Sequence, residues 1–157
     1  MVRAGALLAA VLTSVGAVVY LMGMENAVAE QDPNSVLSIG LHPSAVDYSR
    51  YPGLDEAILT ARITAGETAL REAGFDLVSC QLPAEPDAAE AQLRECVAGG
   101  EFRVAMIGAG VRMAPEHTLL FERLINVTSE LVPGIRFCFN TSPETTIDAL
   151  RRWVQPG

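Results

Sequence analysis

The stretch IGAGVRMAPEH, residues 107–117, contains the residue types of an anion-binding turn together with a histidine. Gly108 and Gly110 follow an apolar run, and glycine lets a backbone come close to a ligand. Arg112 carries a guanidinium group suited to bidentate contacts with a carboxylate or phosphate. Pro115 is typical of the first turn of a helix, and the first amides of a helix favour a bound anion. The stretch predicts an anion-binding site, with a simple tight turn as the alternative.

The two histidines of the chain are candidates for proton transfer. His117 lies near the start of a predicted helix, where the positive end of the helix dipole favours a neutral imidazole. His42 follows the first predicted strand, and Asp47, in the same loop, is a candidate to orient either ring. This set predicts general acid/base catalysis by His117 with His42 as its partner. The alternative is that His117 satisfies local hydrogen bonds and that His42 is exposed.

Polar residues after the fourth predicted strand extend the same candidate site. Asn140, Thr141 and Ser142 come directly before the last predicted helix, and the amides of Thr141 and Ser142 are further anion donors. The predicted ligand-binding residues are Gly108, Gly110, Arg112, Asn140, Thr141, Ser142 and Asp47.

Several familiar chemistries lack their motifs in this sequence. The G-x-G of residues 108–110 has Met113 where a dinucleotide fingerprint needs its third glycine, and it follows the third strand rather than the first. The chain contains neither a P-loop nor the G-x-S-x-G of α/β-hydrolases. His117 follows a different strand from His42 and Asp47, and no metal-ligand spacing such as HxH links the three. No metal site is therefore predicted, and the residues identify no cofactor.

Strands and helices alternate four times along the body of the chain. The predicted strands are 35–41, 75–82, 103–108 and 135–139, and the predicted helices are 54–73, 86–98, 115–132 and one that Ser142-Pro143-Glu144 opens. The first helix has apolar residues at Leu54, Ile58, Ala61, Ala65, Ala69 and Ala73. This alternation is typical of a parallel sheet with helices on both faces, joined by right-handed crossovers. The predicted fold is a doubly wound, three-layer αβα domain with strand order 2-1-3-4, a short flavodoxin-like or Rossmann-like sheet.

This strand order predicts where a ligand binds. In open α/β sheets, ligands bind beyond the carboxyl ends of the strands, where the strand order reverses. In the order 2-1-3-4 that point lies between strands 1 and 3. All of the candidate residues leave the carboxyl ends of strands 1, 3 and 4, and the loop after strand 1 is long enough to be functional.

Residues 4–23 form an apolar run without a charge or a proline. As a helix, twenty such residues span ~30 Å, the hydrocarbon thickness of a bilayer. The run predicts a membrane anchor, or a signal peptide cleaved near Ala27-Val28-Ala29, so that the body is anchored or exported. The alternative is an upstream extension of the reading frame and a cytoplasmic protein. Residues 1–24 are thus an anchor or signal segment, 25–34 a linker and 35–157 the α/β domain.

The net charge of −8 argues against nucleic acid and against anionic lipid as partners. A small anionic ligand is the predicted partner, with membrane contact through the N-terminal segment. The sequence leaves the oligomeric state open.

The three cysteines do not form a recognisable motif. Cys80, Cys96 and Cys138 are too far apart for CxxC chemistry. Cys80 and Cys138 fall in predicted strands, where buried thiols behave as small apolar groups. No disulfide is predicted, which favours a reducing compartment, and a redox role for any of the three stays open.

Three stretches, SIGLHPSAVDYSRYPG, MIGAGVRMAPEHTLLFERLIN and RFCFNTSPETTIDALRRW, resemble small uncharacterised microbial doubly wound α/β proteins. The resemblance runs from Val36 to Trp153 and omits the apolar run. It implies a fold and a marked sheet edge, but no reaction. Since such proteins are largely bare cytosolic domains, it also favours either an upstream extension of the reading frame or a lineage-specific anchor.

Three functions follow from these residues. The first is a binding domain for a small anionic ligand. The second is a small enzyme that uses the same pocket with His117 as general acid/base. The third is a membrane-tethered protein-interaction module without a small ligand.

Overall fold

The structure is a computed structural model that describes residues 34–156. Its four-stranded sheet is entirely parallel and has the order β2-β1-β3-β4, as predicted. The strands are β1 (Ser35–Leu41), β2 (Asp76–Leu82), β3 (Val104–Ile107) and β4 (Arg136–Phe139).

Within residues 34–156, five α-helices connect and flank these strands. They are α1 (Glu56–Glu72), α2 (Pro86–Val97), α3 (Ala109–Arg112), α4 (Thr118–Leu131) and α5 (Thr146–Arg151). The prediction of one helix over 115–132 is wrong at its start, because Pro115–His117 forms a 3₁₀ turn before α4. The short α3 was not predicted, since four residues are too few to show a helical period. The last helix follows another 3₁₀ turn, Pro143–Thr145.

Alternating strand residues give the sheet two different faces. Odd-numbered β1 residues such as Leu37 and Ile39 pack with α2 and α4 in the larger apolar core. Val36 on the opposite face packs in a second core with α1 and α5, through Leu70 and Leu150 among others. The helices therefore cover both faces of the sheet.

The face that α1 covers changes from apolar to polar along the strands. Its amino half contributes Val36, Leu77 and Val104 to the second core. Towards the carboxyl ends the same face presents the small or polar residues Ser38, Gly40, Ser79 and Gln81. An apolar helix surface has little to pack against there. The core therefore stops short of this end of the sheet.

Helix α1 reflects this change in what it buries. Its carboxyl-terminal Leu70 is the one buried α1 residue, and the half-buried Leu59 and Ile63 line the space above the sheet. The apolar positions noted in the sequence do not form the core face: Ile58 is 44% exposed, and Ala61, Ala65 and Ala69 are exposed as well. Alanine has too little apolar surface to determine the orientation of a helix.

The expectation from the sequence that no disulfide forms is wrong for two of the three cysteines. Cys80 of β2 and Cys96 of α2 form a disulfide with a Cα–Cα distance of 5.9 Å. The Cys80 side chain points to the face that α2 covers, so the strand-helix packing joins residues 16 apart in sequence. Cys138 is a buried free thiol whose pKa burial raises to about 12.

The predicted apolar helix at 4–23, the anchor or signal segment and the linker up to residue 33 lie outside the described residues. Within residues 34–156, no helix combines the length and apolar character needed to cross a bilayer.

Candidate functional site

A cavity of about 480 Å³ lies between α1 and the carboxyl half of the sheet. It extends to the loops that leave β1, β3 and β4, including Asp47, Gly110 and Ser142. This is the switch point of the sheet, between β1 and β3. The volume is in the range of small-molecule sites, about 300–1,000 Å³.

The floor of the cavity is polar, which is unusual for the interior of a parallel sheet. Ser38 pairs in register with Ser79, and Gly40 pairs with Gln81, so the three polar side chains share one patch of the sheet. All three are half-buried and line the cavity. None of their side chains hydrogen-bonds to another residue of the described chain. Their donors and acceptors are therefore available to a molecule in the cavity. We call Ser38, Ser79 and Gln81 the polar floor.

Apolar side chains form the wall opposite the polar floor. They come from α1: Leu59, Ile63 and Leu70. Met106 of β3 pairs in register with Ser38 and adds an apolar side chain beside the polar floor. Gly66 lets α1 approach the Pro143–Thr145 turn closely, because a Cβ at this position would lie 3.2 Å from the Pro143 carbonyl oxygen. The cavity thus joins a hydrogen-bonding surface to an apolar one.

Two ion pairs cross between the loops at the mouth. Arg62 of α1 holds the Glu144 carboxylate with two hydrogen bonds, Nε to Oε1 at 2.7 Å and Nη2 to Oε2 at 2.8 Å. These bonds lower the pKa of Glu144 to about 2. Arg50, in the loop after β1, pairs with Glu116, in the loop after β3. Both arginines that line the cavity therefore have anionic partners.

Gly108 and Gly110 line the cavity, but their geometry does not require glycine. Gly108 has an ordinary extended conformation, with φ of −67°. A Cβ on Gly110 would have no atom within 4 Å, and one on Gly108 would make ordinary van der Waals contacts. The sequence signal here is thus compatible with a turn as well as with a ligand.

Asn140 and the residues after it use their polar groups within the fold. The Asn140 side chain accepts a hydrogen bond from the Ala109 amide at 2.9 Å and donates one to Thr146 Oγ1 at 2.8 Å. The amides of Thr141 and Ser142 both donate to Thr145 Oγ1. Asn140, Thr141 and Ser142 line the cavity, but these contacts already occupy the predicted anion donors.

Arg112 is not among the residues that line the cavity. Its Nη2 donates to the Asn140 carbonyl oxygen at 3.0 Å, and its guanidinium lies over the Phe139 ring, 5.6 Å from the centroid. Its Nε is buried and has no partner in the described chain. The side chain braces the end of β4.

The structure does not bring the two histidines together in the cavity. His117 lines it, and burial together with Arg50 lowers its pKa, so that the ring is neutral near pH 7. His42 lies outside the lining and is exposed, and its Nδ1 accepts a hydrogen bond from the Ser44 amide. Asp47 lines the cavity while its carboxylate caps a 3₁₀ turn by accepting from Ser49. His117 is thus the histidine with access to a ligand.

The residues of the polar floor lie within strands, outside the loops from which the sequence predicts a site. Strands of a parallel sheet are buried on both faces and are usually apolar throughout. Ser38 in SVLSIGL, and Ser79 and Gln81 in FDLVSCQL, interrupt that pattern on the same face. This interruption was the available signal. Its meaning depends on strand register, which the sequence alone does not give.

Within residues 34–156, no group of three or more His, Cys, Asp or Glu side chains is arranged to hold a metal ion.

No protein-family model matches the chain, and neither a curated protein nor a solved structure matches it. The resemblance to small uncharacterised microbial α/β proteins stays a prediction. The function is therefore inferred from the cavity and its lining residues.

Proposed function

We propose that this domain binds a small molecule in the cavity between α1 and the carboxyl half of the sheet. The observation that carries the proposal is the cavity of about 480 Å³ at the switch point, with a polar floor and an apolar wall. Sites of this kind bind small ligands through a few polar groups set in an apolar surface. The anionic ligand predicted from the sequence is one version of this function, and the choice of ligand is a separate question.

Filling the cavity provides the test. Gly40 faces the cavity from β1, and a Cβ there would have no atom within 4 Å. Gly40→Val should therefore fold at least as stably as the wild type, because glycine weakens a strand interior. A fragment library screened by ¹⁵N NMR should give ligands that shift the amides of residues 38–41. Those shifts should be lost in Gly40→Val.

The matched control is Ala91→Val, a similar enlargement on the exposed face of α2. It should keep every fragment response. A library that gives no response at residues 38–41, or responses that Gly40→Val retains in full, would rule out binding in this cavity.

An enzymatic use of the same cavity is a second candidate, and His117 favours it. The ring lines the cavity, its lowered pKa leaves it free to accept a proton near pH 7, and it has no hydrogen-bond partner in the described chain. If a fragment hit is converted by the protein, His117→Ala should abolish turnover while its affinity stays within about tenfold. Unchanged turnover in His117→Ala would exclude this role.

The disulfide favours the anchored or exported alternatives over a cytoplasmic one, because disulfides persist in oxidising compartments. Thiol alkylation of the denatured full chain, isolated under acid quench from its native cells, should modify Cys138 alone before reduction. It should modify all three cysteines after reduction. Three reactive thiols without reductant would instead support a reducing compartment.

A further inference from the structure

The charged groups of the cavity are already paired, which bears on the kind of ligand that it accepts. The ionised side chains that line it are Asp47, Arg50, Arg62, Glu67 and Glu116. Two arginines against three acids leave a formal charge of −1. Arg50 pairs with Glu116, Arg62 with Glu144, and Glu67 with Arg71. An anion placed here would meet no unpaired cation among the described residues.

Three backbone amides at this edge of the sheet are occupied as well. The Ala109 amide is bound by the Asn140 side chain, and the Thr141 and Ser142 amides are bound by Thr145 Oγ1. An anion would have to displace these contacts and lose much of its hydration. These three amides are therefore not free to bind a carboxylate or phosphate.

The polar floor has the opposite character, because its groups are neutral and unpartnered. Each serine hydroxyl both donates and accepts, and the Gln81 carboxamide offers one acceptor oxygen and two N–H donors. Half-buried polar groups without protein partners are stabilised by a ligand or water that supplies matching bonds. A carboxamide or hydroxyl group matches them without the cost of burying a charge.

The rest of the surface fits an apolar body. Leu59, Ile63 and Leu70 of α1 face the floor across the cavity. Tyr51 and Met113 continue this apolar surface at the mouth, where they are 40% and 61% exposed. A ligand that reaches from floor to mouth would thus cover apolar side chains over most of its length.

Resting on the proposed function, we propose that the cavity takes an uncharged amphipathic molecule. Its carboxamide or hydroxyl head contacts Ser38, Ser79 and Gln81, and its apolar body lies against α1. This assigns the ligand class by the chemistry of the sheet face rather than by the loops that the sequence emphasises.

Three probes with the same phenylpropyl body test the ligand class: 4-phenylbutanamide, 4-phenylbutan-1-ol and 4-phenylbutanoate. Dissociation constants come from ¹⁵N NMR titration of the domain at neutral pH. The amide and the alcohol should bind about tenfold or more tightly than the carboxylate, because the carboxylate would be buried without a cation. Gln81→Leu should weaken the amide by about twofold to tenfold, the effect of one neutral hydrogen bond.

The control Gln92→Leu makes the same change on the exposed face of α2 and should leave all three affinities unchanged. Ser38→Ala combined with Ser79→Ala should weaken the alcohol and the amide, with native ¹⁵N spectra confirming the fold.

The outcomes separate this proposal from the proposed function. Carboxylate binding as tight as amide binding would overturn the neutral class, as would amide binding that survives all floor substitutions. If all three probes fail to bind while library fragments still bind at residues 38–41, the proposed ligand class is wrong but the proposed binding site stands. Failure of probes and fragments alike would overturn both.

Discussion

The Arg112 side chain donates from Nη2 to the carbonyl oxygen of Asn140, just after β4, and its guanidinium lies over the Phe139 ring. At the scale of single residues, this orientation decides the role of a side chain more than its type does. The sequence predicts that Arg112 binds an anion, because this arginine follows two glycines at a sheet edge. In the structure its Nη2 holds the Asn140 carbonyl oxygen, and the guanidinium is outside the cavity lining. The arginine therefore stabilises the loop that surrounds the site.

Replacing Arg112 should accordingly affect stability rather than binding. Arg112→Ala removes a charge-assisted hydrogen bond and should lower the free energy of unfolding by about 1.5–3 kcal/mol in urea titrations. The affinity for 4-phenylbutanamide should stay within about twofold. Arg94→Ala, at an exposed site on α2, is the control and should change stability by no more than about 0.5 kcal/mol. Unchanged stability together with a loss of affinity would instead show that Arg112 contacts the ligand.

How much of the site the sequence predicts depends on the kind of residue. The strand order is predicted correctly, and the cavity lies at the sheet edge expected from it, because both depend only on the alternation of elements. The sequence does not predict that Asn140 and Thr145 occupy the nearby amides, since these contacts join residues from different loops and turns. Ser38, Ser79 and Gln81 belong to neighbouring strands, and their common patch exists only once the register is known.

At the scale of elements, α1 is attached at both ends of the cavity. Leu70 packs at its carboxyl end, and Arg62 pairs with Glu144 near the mouth. Both partners of this pair are well exposed, Arg62 at 40% and Glu144 at 55%, so water screens their attraction. The pair orders the mouth while adding at most about 1 kcal/mol to stability.

The Arg62–Glu144 pair should produce a dependence of stability on acid pH. The pKa of Glu144 is about 2 in the folded protein, against an ordinary value of 4.5. Since the folded pKa is the lower one, the contribution is fully present above about pH 4.5 and is lost as the pH falls towards 2. At pH 6 the free energy of unfolding of the wild type should be higher than that of Glu144→Gln by up to about 1 kcal/mol, measured by urea unfolding. A difference that is constant from pH 6 to pH 3 would contradict this account.

The disulfide between β2 and α2 fixes a second pair of elements. Cys80 lies between Ser79 and Gln81, so the bond holds the edge strand that carries two residues of the polar floor. Residues 16 apart are joined, and closing a loop of this size contributes about 3 kcal/mol by restricting the unfolded chain.

Removing this bond should therefore destabilise the domain measurably. Cys96→Ala should lower the free energy of unfolding by about 3 kcal/mol, and dithiothreitol should lower that of the wild type by a similar amount. Dithiothreitol should have no effect on Cys96→Ala, because Cys138 is not in a disulfide. Insensitivity of the wild type to reductant would show that the bond adds nothing to stability.

At the scale of the whole molecule, the sheet is packed differently on its two faces. The face under α2 and α4 is apolar to the ends of the strands, with Leu41 and Leu82 in its core. The face under α1 has the polar side chains of Ser38, Ser79 and Gln81 in place of apolar ones. Burying polar groups without protein partners costs free energy, and a domain with a complete core on its other face tolerates that cost. The asymmetry is the structural basis of the proposed binding function.

The most direct test of this account is an NMR measurement of intermolecular contacts with bound 4-phenylbutanamide. Isotope-filtered NOE spectra report which protein protons lie close to the probe. The account predicts NOEs from the phenyl protons to the methyl groups of Leu59 and Ile63, and from the carboxamide end to the Gln81 side chain. NOEs confined to the outer alanines of α1, Ala61 and Ala65, or the absence of any NOE at the polar floor, would contradict it.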